Sequence, residues 1–211
     1  MGIRAPPSRS ASIRTLVGMA ELRENSGFGY TVAAVGAILM SYILAHFVQY
    51  TGSTTAAEGA VTGFWMDVGC YCVSGARLLG GEPECVYGEQ ALGSTGVDVD
   101  SYGTFRFPND VVAQFDASFS LPGRQRLEAV GEEGTLILEA PWRTDLGGRV
   151  LLNGETVPVD PADSYGLELA NFAAAIAGDA KPLLGRDDAL AQARVIEALY
   201  RSAESGEAVS L

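Results

Sequence analysis

The sequence predicts an α+β fold: an open, mainly antiparallel sheet with helices packed on one face, preceded by an apolar N-terminal segment. Seven short runs of strand-forming residues follow one another after residue 84, separated by turn residues such as Gly, Pro, Asn and Asp. Two amphipathic stretches then close the chain. Nearly half of the 211 residues are apolar, which is enough for a buried core.

The chain changes in character near residue 60, and we divide it into three parts. Residues 1–29 contain Pro, Ser and Arg without an apolar period, which predicts a poorly ordered segment. Residues 30–50 carry no formal charge and are long enough to cross a membrane as an apolar helix. Arginines precede them and no charge follows before Glu58, so a span would leave the N-terminus in the cytoplasm. The other interpretation of residues 30–50 is a buried helix or strand pair in a soluble domain. Residues 61–211 form the third part.

Composition excludes several functions. Acidic residues outnumber basic ones, 26 against 14, so the surface repels phosphate backbones and nucleic acid is not expected as a partner. His46 is the lone histidine, and Cys70, Cys72 and Cys85 have no zinc-site spacing, so no metal is expected. Three reduced, mostly buried thiols fit a cytoplasmic protein; a membrane anchor through residues 30–50 is the alternative. G-F-G-Y-T-V at 27–32 lacks the third glycine and the preceding strand of a dinucleotide site.

The elements of the third part follow in order. Met66 to Leu79 has apolar residues at helical spacing and then glycine and proline stop signals. Strands are predicted for C-V-Y-G-E-Q, V-D-V-D-S-Y-G-T-F-R-F, V-V-A-Q-F-D-A-S-F-S, R-L-E-A-V, T-L-I-L-E-A, R-V-L-L and T-V-P-V. The third run alternates, with Val111, Ala113, Phe115, Ala117 and Phe119 on one face. That alternation predicts one buried face and one polar face, which is available to a partner.

Two helices are predicted to cover the buried face. The first, D-S-Y-G-L-E-L-A-N-F-A-A-A-I, would use Leu167, Phe172 and Ile176 as its apolar positions. The second runs from Asp187 and ends before Gly206. Helices on one face of a sheet would then form the core.

Four ordered blocks carry a family resemblance: W-M-D-V-G-C-Y-C-V-S-G-A-R-L-L-G-G-E-P, D-V-V-A-Q-F-D-A-S-F, G-E-E-G-T-L-I-L-E-A-P-W and E-A-L-Y-R-S-A-E-S-G. Over residues 63–211 the chain resembles the C-terminal domain of the Gfo/Idh/MocA (glucose-fructose oxidoreductase / inositol dehydrogenase) oxidoreductases. The resemblance implies an open sheet with helices on one face. It also implies a reaction in which NAD or NADP oxidises or reduces a sugar or a related small alcohol.

The first block contains an acid and a phenol four residues apart, Asp67 and Tyr71, which one helical turn places on one face. The resemblance assigns Asp67 to substrate orientation and Tyr71 to the acid/base position. A phenol can relay the proton that must leave a carbinol oxygen, but it is a poor base at neutral pH without a nearby cation. The family takes that cation from a lysine in an E-K-P motif, whereas the one lysine here, Lys181, lies in a late A-K-P.

Two interpretations therefore remain. In the first, residues 61–211 are the substrate half of a truncated oxidoreductase that lacks its N-terminal Rossmann domain, so no NAD or NADP is expected to bind this chain alone. In the second, the domain is a non-catalytic binding or oligomerisation module, with Asp67 at a helix start and Tyr71 as a packed aromatic. Either way, we expect a homo-oligomer formed through the open sheet face, as the resemblance implies.

Overall fold

The computed structural model describes residues 65–108, 110–118, 121, 124–132, 134–142, 147–160 and 162–211. The predictions for residues 1–29 and 30–50 lie outside this part of the chain. The predicted α+β class is confirmed, because the described residues form three α-helices and two antiparallel sheets. No helix within the described residues has the length and apolar character that a membrane span requires.

The predicted helix of the first block is present and has an unusual start. A π-helical turn, Trp65–Gly69, leads directly into helix α1, Cys70–Gly80. The helix stops at the glycine pair of the sequence, since Gly81 has a φ of 84° and its amide donates to the carbonyl of Arg77. Single π-helical turns are rare and are frequently found at functional sites.

All seven predicted strand runs form strands, and a short strand follows the last helix. The bounds are β1 Cys85–Leu92, β2 Asp98–Arg106, β3 Val112–Ser118, β4 Arg126–Gly131, β5 Gly134–Glu139, β6 Val150–Leu152, β7 Glu155–Val157 and β8 Val209–Ser210. The described strands pair in two sheets of four, in the orders β3-β2-β1-β8 and β4-β5-β6-β7. Asn153 and Gly154, both with positive φ, turn the chain between β6 and β7, as expected for Asn-Gly in a tight hairpin.

The alternation in β3 separates a covered face from an open one, as predicted. Ala117 is buried and Phe115 is half-buried, whereas Gln114 and Asp116 on the opposite face are exposed. Helix α3, Arg186–Ser205, packs across β1, and α1 packs on β3. The core lies between these two helices and the first sheet, with Trp65, Val73, Val86, Phe105, Val195, Ala198 and Leu199 among its most buried side chains.

The prediction for the first covering helix is wrong in one respect. Helix α2, Ser164–Ala177, forms where the sequence places it. However, Phe172 is 63% exposed and Ile176 is 73% exposed, and only Leu167 is partly buried. The physical reason is that α1 and α3 already occupy the inner face of the first sheet, so α2 does not form part of the cover of that face.

Candidate active site

The structure brings the two predicted site residues together at the start of α1. Asp67 lies in the π-helical turn and is half-buried, and Tyr71 lies in the first turn of α1 and is 5% exposed. The two side chains are close enough for the charge of Asp67 to raise the pKa of Tyr71. The shared helical face that the four-residue spacing predicts stays a prediction.

Trp142, which sequence reasoning did not select, packs against Tyr71. The ring centroids of Tyr71 and Trp142 lie 5.6 Å apart with the planes tilted by 40°. Gly75, one turn further along α1, makes room for this indole, because a Cβ at that position would lie 2.8 Å from Cη2 of Trp142. A glycine one turn after Tyr71 is the only sequence signal that could have indicated this close approach.

The surroundings of Tyr71 keep its hydroxyl protonated. Burial raises the pKa of Tyr71, and the groups of Cys70, Tyr165 and Asp67 raise it further. None of these groups is a cation, so the described residues supply no charge that would favour the phenolate. At neutral pH Tyr71 can therefore donate a proton but is a poor acceptor of one.

Tyr165, in the first turn of α2, is a second aromatic residue that sequence reasoning missed. Its influence on the pKa of Tyr71 places it in the electrostatic neighbourhood of the site, and its side chain is 43% exposed.

Lys181 lies far along the chain in the loop after α2 and is exposed, with its backbone carbonyl accepting from the Asn171 amide. It does not contribute to the pKa of Tyr71.

A buried arginine fixes the helix that carries Tyr71. Arg77 of α1 is 7% exposed and its guanidinium donates to Glu82 at 2.6 Å and to Asp188 of α3 at 2.9 Å. The same side chain donates to Gln192 of α3, whose amide in turn donates to the carbonyl of Cys70. Helices α1 and α3 are thus joined by charge-assisted bonds next to the site.

The open face of the first sheet carries a separate shallow groove of about 360 Å³. Its lining includes Tyr87, Glu89, Tyr102, Gln114 and Asp116, which come from three adjacent strands. The hydroxyl of Tyr87 donates to Glu89 at 3.0 Å. Because these side chains lie on the face opposite to the helices, the groove is distinct from the surroundings of Tyr71.

The described residues do not fit a dinucleotide or a metal by themselves. Every strand pairing among them is antiparallel, so they contain no strand–helix–strand unit of the kind that holds a pyrophosphate at a helix N-terminus. Within the same residues, no three His, Cys, Asp or Glu side chains cluster as metal ligands. The three cysteines are free thiols.

The similarity to known proteins begins ahead of the described residues. The sequence profile of the GFO/IDH/MocA C-terminal domain matches residues 33–137. The D-xylose 1-dehydrogenase (NADP(+)) 2 of Haloferax volcanii is 36% identical over 159 residues, or 69% of this chain and 47% of that enzyme. The 1,5-anhydro-D-fructose reductase of Ensifer adhaerens is 30% identical over 125 residues, or 57% of this chain and 38% of that enzyme.

A solved structure gives the same relationship. The aldose-aldose oxidoreductase from Caulobacter crescentus, complexed with glycerol, superposes with a TM-score of 0.62 at 27% identity. The superposition covers 74% of this chain and 50% of that one. The chain thus spans about half the length, or less, of the relatives it matches, and the profile match begins inside the apolar segment of residues 30–50.

Proposed function

Because this chain belongs to the Gfo/Idh/MocA family of oxidoreductases, we propose that it provides the substrate-binding half of an NAD(P)-dependent enzyme acting on a sugar or related small alcohol. One observation carries the proposal: Asp67 and Tyr71 lie four residues apart at the start of one helix, where the charge of Asp67 raises the pKa of Tyr71 and Tyr71 packs on the indole of Trp142. Relatives named for D-xylose and 1,5-anhydro-D-fructose support a small carbohydrate as the substrate class.

The protonation state of Tyr71 decides which step it performs. Since its phenol stays neutral, we assign it to donate a proton to the carbonyl oxygen of a substrate that is being reduced. Asp67, as a carboxylate one turn earlier, would accept hydrogen bonds from substrate hydroxyls and orient the ring. Donation leaves a Tyr71 phenolate, which would recover its proton from solvent, and the oxidative direction starts from that same phenolate. In both directions a neighbouring cation from outside the described residues would therefore favour the step by lowering the pKa of Tyr71.

The cofactor, NAD or NADP, is inferred only from the family to which the chain belongs. The relatives include an enzyme named for NADP, but the described residues contain no unit that would hold a dinucleotide. We therefore propose that a nucleotide-binding half must be supplied before the site acts, and that this chain alone is inactive.

A cytoplasmic location fits the free thiols. The membrane anchor through residues 30–50 stays a prediction outside the described residues.

A non-catalytic binding or oligomerisation module is the second candidate, and one observation favours it. Tyr71 is 5% exposed and packs on Trp142, as a structural aromatic does. In this case the open face of the first sheet, with Tyr87, Tyr102 and Asp116, would carry the function by pairing with a second copy.

The two candidates separate in one experiment. A family nucleotide-binding half fused ahead of residue 33, where the family match begins, supplies the missing partner. The fusion is assayed with a panel of aldoses, keto sugars and cyclic polyols, with NAD, NADP and their reduced forms. We expect turnover of at least one sugar. A folded fusion that binds the cofactor and turns over no member of the panel would favour the non-catalytic module.

A further inference from the structure

Asp98, at the first position of β2, is a buried carboxylate that no part of the proposed reaction uses. It is 4% exposed. Its Oδ2 atom accepts from the backbone amide of Trp65 at 2.6 Å and from the hydroxyl of Ser101 at 3.4 Å, and its Oδ1 atom accepts from the hydroxyl of Tyr200 at 3.2 Å. A carboxylate removed from water is tolerated when donors of this kind surround it.

The amide that Asp98 binds opens the helix of the candidate site. Trp65 is the first residue of the π-helical turn, and the first amides of a helix have no partner within the helix. A negative charge at this end is also favoured by the helix dipole. Asp98 therefore satisfies an amide that the fold would otherwise bury without a partner, and it does so two residues before Asp67.

The same carboxylate is held from its other side by helix α3. Burial, together with the charge and hydrogen bond of Asp98, raises the pKa of Tyr200, so this hydroxyl remains a donor at neutral pH. The indole of Trp65 is fully buried and packs on the rings of Phe115 and Tyr200, with centroids 5.2 and 6.1 Å away. The start of the site helix is thus tied to β2, β3 and α3 at one point.

We propose that Asp98 is a positioning residue, which fixes the start of the site helix through the Trp65 amide and so sets where Asp67 and Tyr71 lie. This inference rests on the proposed function. It predicts that the loss of the Asp98 charge affects the site more than the rest of the fold. A displacement of catalytic groups by about 1 Å is sufficient to lower turnover by roughly 10²-fold.

The test uses Asp98→Asn, with Asp100→Asn as its matched control. Asp100 lies on the same strand, and its carboxylate accepts from the hydroxyl of Ser118 on β3. In the full chain, hydrogen exchange should accelerate by about tenfold at the amides of residues 66–73 in Asp98→Asn, with β1 and β2 little changed. In the fusion enzyme, kcat should fall by roughly 10- to 100-fold with a smaller change in KM. Asp100→Asn should show neither effect.

Three outcomes would overturn the positioning role. One is uniform acceleration of exchange through the whole domain, another is unchanged exchange at the site helix, and the third is an unchanged kcat in a folded Asp98→Asn fusion. If Asp98→Asn does not fold, Tyr200→Phe, which removes one donor to the carboxylate and keeps the ring, decides the question by the same readouts. If the wild-type fusion has no turnover, the proposed function fails, while the exchange measurement still decides whether Asp98 anchors the helix.

Discussion

The backbone of Gly88 in β1 lies directly against the backbone carbonyl of Leu199 in α3. A Cβ at residue 88 would approach that oxygen to 2.7 Å. The backbone cannot easily move away to make room, because the amide of Gly88 donates to the hydroxyl of Ser202 at 3.0 Å. The contact sets the distance between the first sheet and the helix that covers it. The same helix carries Tyr200 and Gln192, whose side chains donate to Asp98 and to the carbonyl of Cys70.

We expect Gly88→Ala to destabilise the domain by about 1–3 kcal/mol, because backbone atoms on both sides must move apart to admit the methyl group. Urea unfolding followed by circular dichroism measures the change. Gly185→Ala is the control, since a Cβ there meets nothing within 4 Å. Because Gly185 is the N-cap of α3, where Gly is preferred to Ala, we expect it to cost about 0.5 kcal/mol through the cap alone, less than Gly88→Ala. Equal stability of the two variants would contradict the close packing of β1 on α3.

The thiols of Cys70 and Cys72 predict a loss of stability at alkaline pH. Burial, with smaller contributions from neighbouring charges, raises the pKa of Cys70 to about 12, and burial and the charge of Asp116 raise that of Cys72 to about 12. In the unfolded chain a thiol ionises near pH 8.5. The folded state therefore binds more protons above that pH, and the free energy of unfolding should fall as pH rises from about 8.5 towards 12.

Urea titrations at pH 7, 9 and 10 measure this slope. Each thiol contributes at most about 1.4 kcal/mol per pH unit. The variant that combines Cys70→Ala with Cys72→Ala should lose most of the slope while keeping the fold. A slope that stays the same without both thiols would assign the alkaline loss of stability to other groups.

Self-association should use the open face of the first sheet. Tyr102 is 41% exposed and Val112 is 50% exposed on that face, beside the groove that contains Glu89 and Asp116. We expect a dimer or larger species by light scattering at micromolar concentrations. The variant Val112→Glu places a charge on this face, and we expect it to be a monomer.

Helix α2 provides the control for that interface. Phe172 and Ile176 are also exposed apolar residues, but they lie on a helix rather than on the sheet. Phe172→Glu should leave the association unchanged. The reverse result, with Phe172→Glu monomeric and Val112→Glu still associated, would move the interface from the sheet to α2.

The chain by itself should not bind NAD or NADP with useful affinity. The described strands are all antiparallel and none leads through a glycine-rich turn into a helix N-terminus, which is the usual cradle for the pyrophosphate. Titration calorimetry of the full chain with both cofactors should give no measurable heat of binding. A dissociation constant in the micromolar range would show that the chain holds a dinucleotide site after all.

Periodicity and turn chemistry predicted the three α-helices and the first seven strands, but not the π-helical turn or β8. Alternation of apolar and polar residues placed the strands, and the glycines at 81 and 206 ended the helices where the sequence predicts. Sequence could not predict that α2 would leave Phe172 and Ile176 exposed. Apolar spacing identifies a face that prefers burial, but whether a surface remains to cover that face depends on how α1 and α3 pack first.

The candidate site was predicted only in part. The spacing of Asp67 and Tyr71 is local, so one helical turn was enough to bring them together. Trp142 and Asp98 are separated from them by at least 27 positions in the sequence, and their contacts arise from the pairing of distant strands with the helices. Long-range contacts of this kind leave no periodic signal, apart from a glycine such as Gly75 where another side chain must approach closely.

The most direct measurement of the central claim is the steady-state kinetics of the fusion enzyme with Tyr71→Phe beside Tyr102→Phe. Both variants remove one phenolic oxygen, but Tyr102 lies on the open face of the sheet. If Tyr71 donates the proton, Tyr71→Phe keeps the fold and loses about 10²- to 10⁴-fold in kcat, while Tyr102→Phe retains it. Turnover that survives in folded Tyr71→Phe would contradict the assignment and leave Tyr71 as an aromatic residue packed against Trp142.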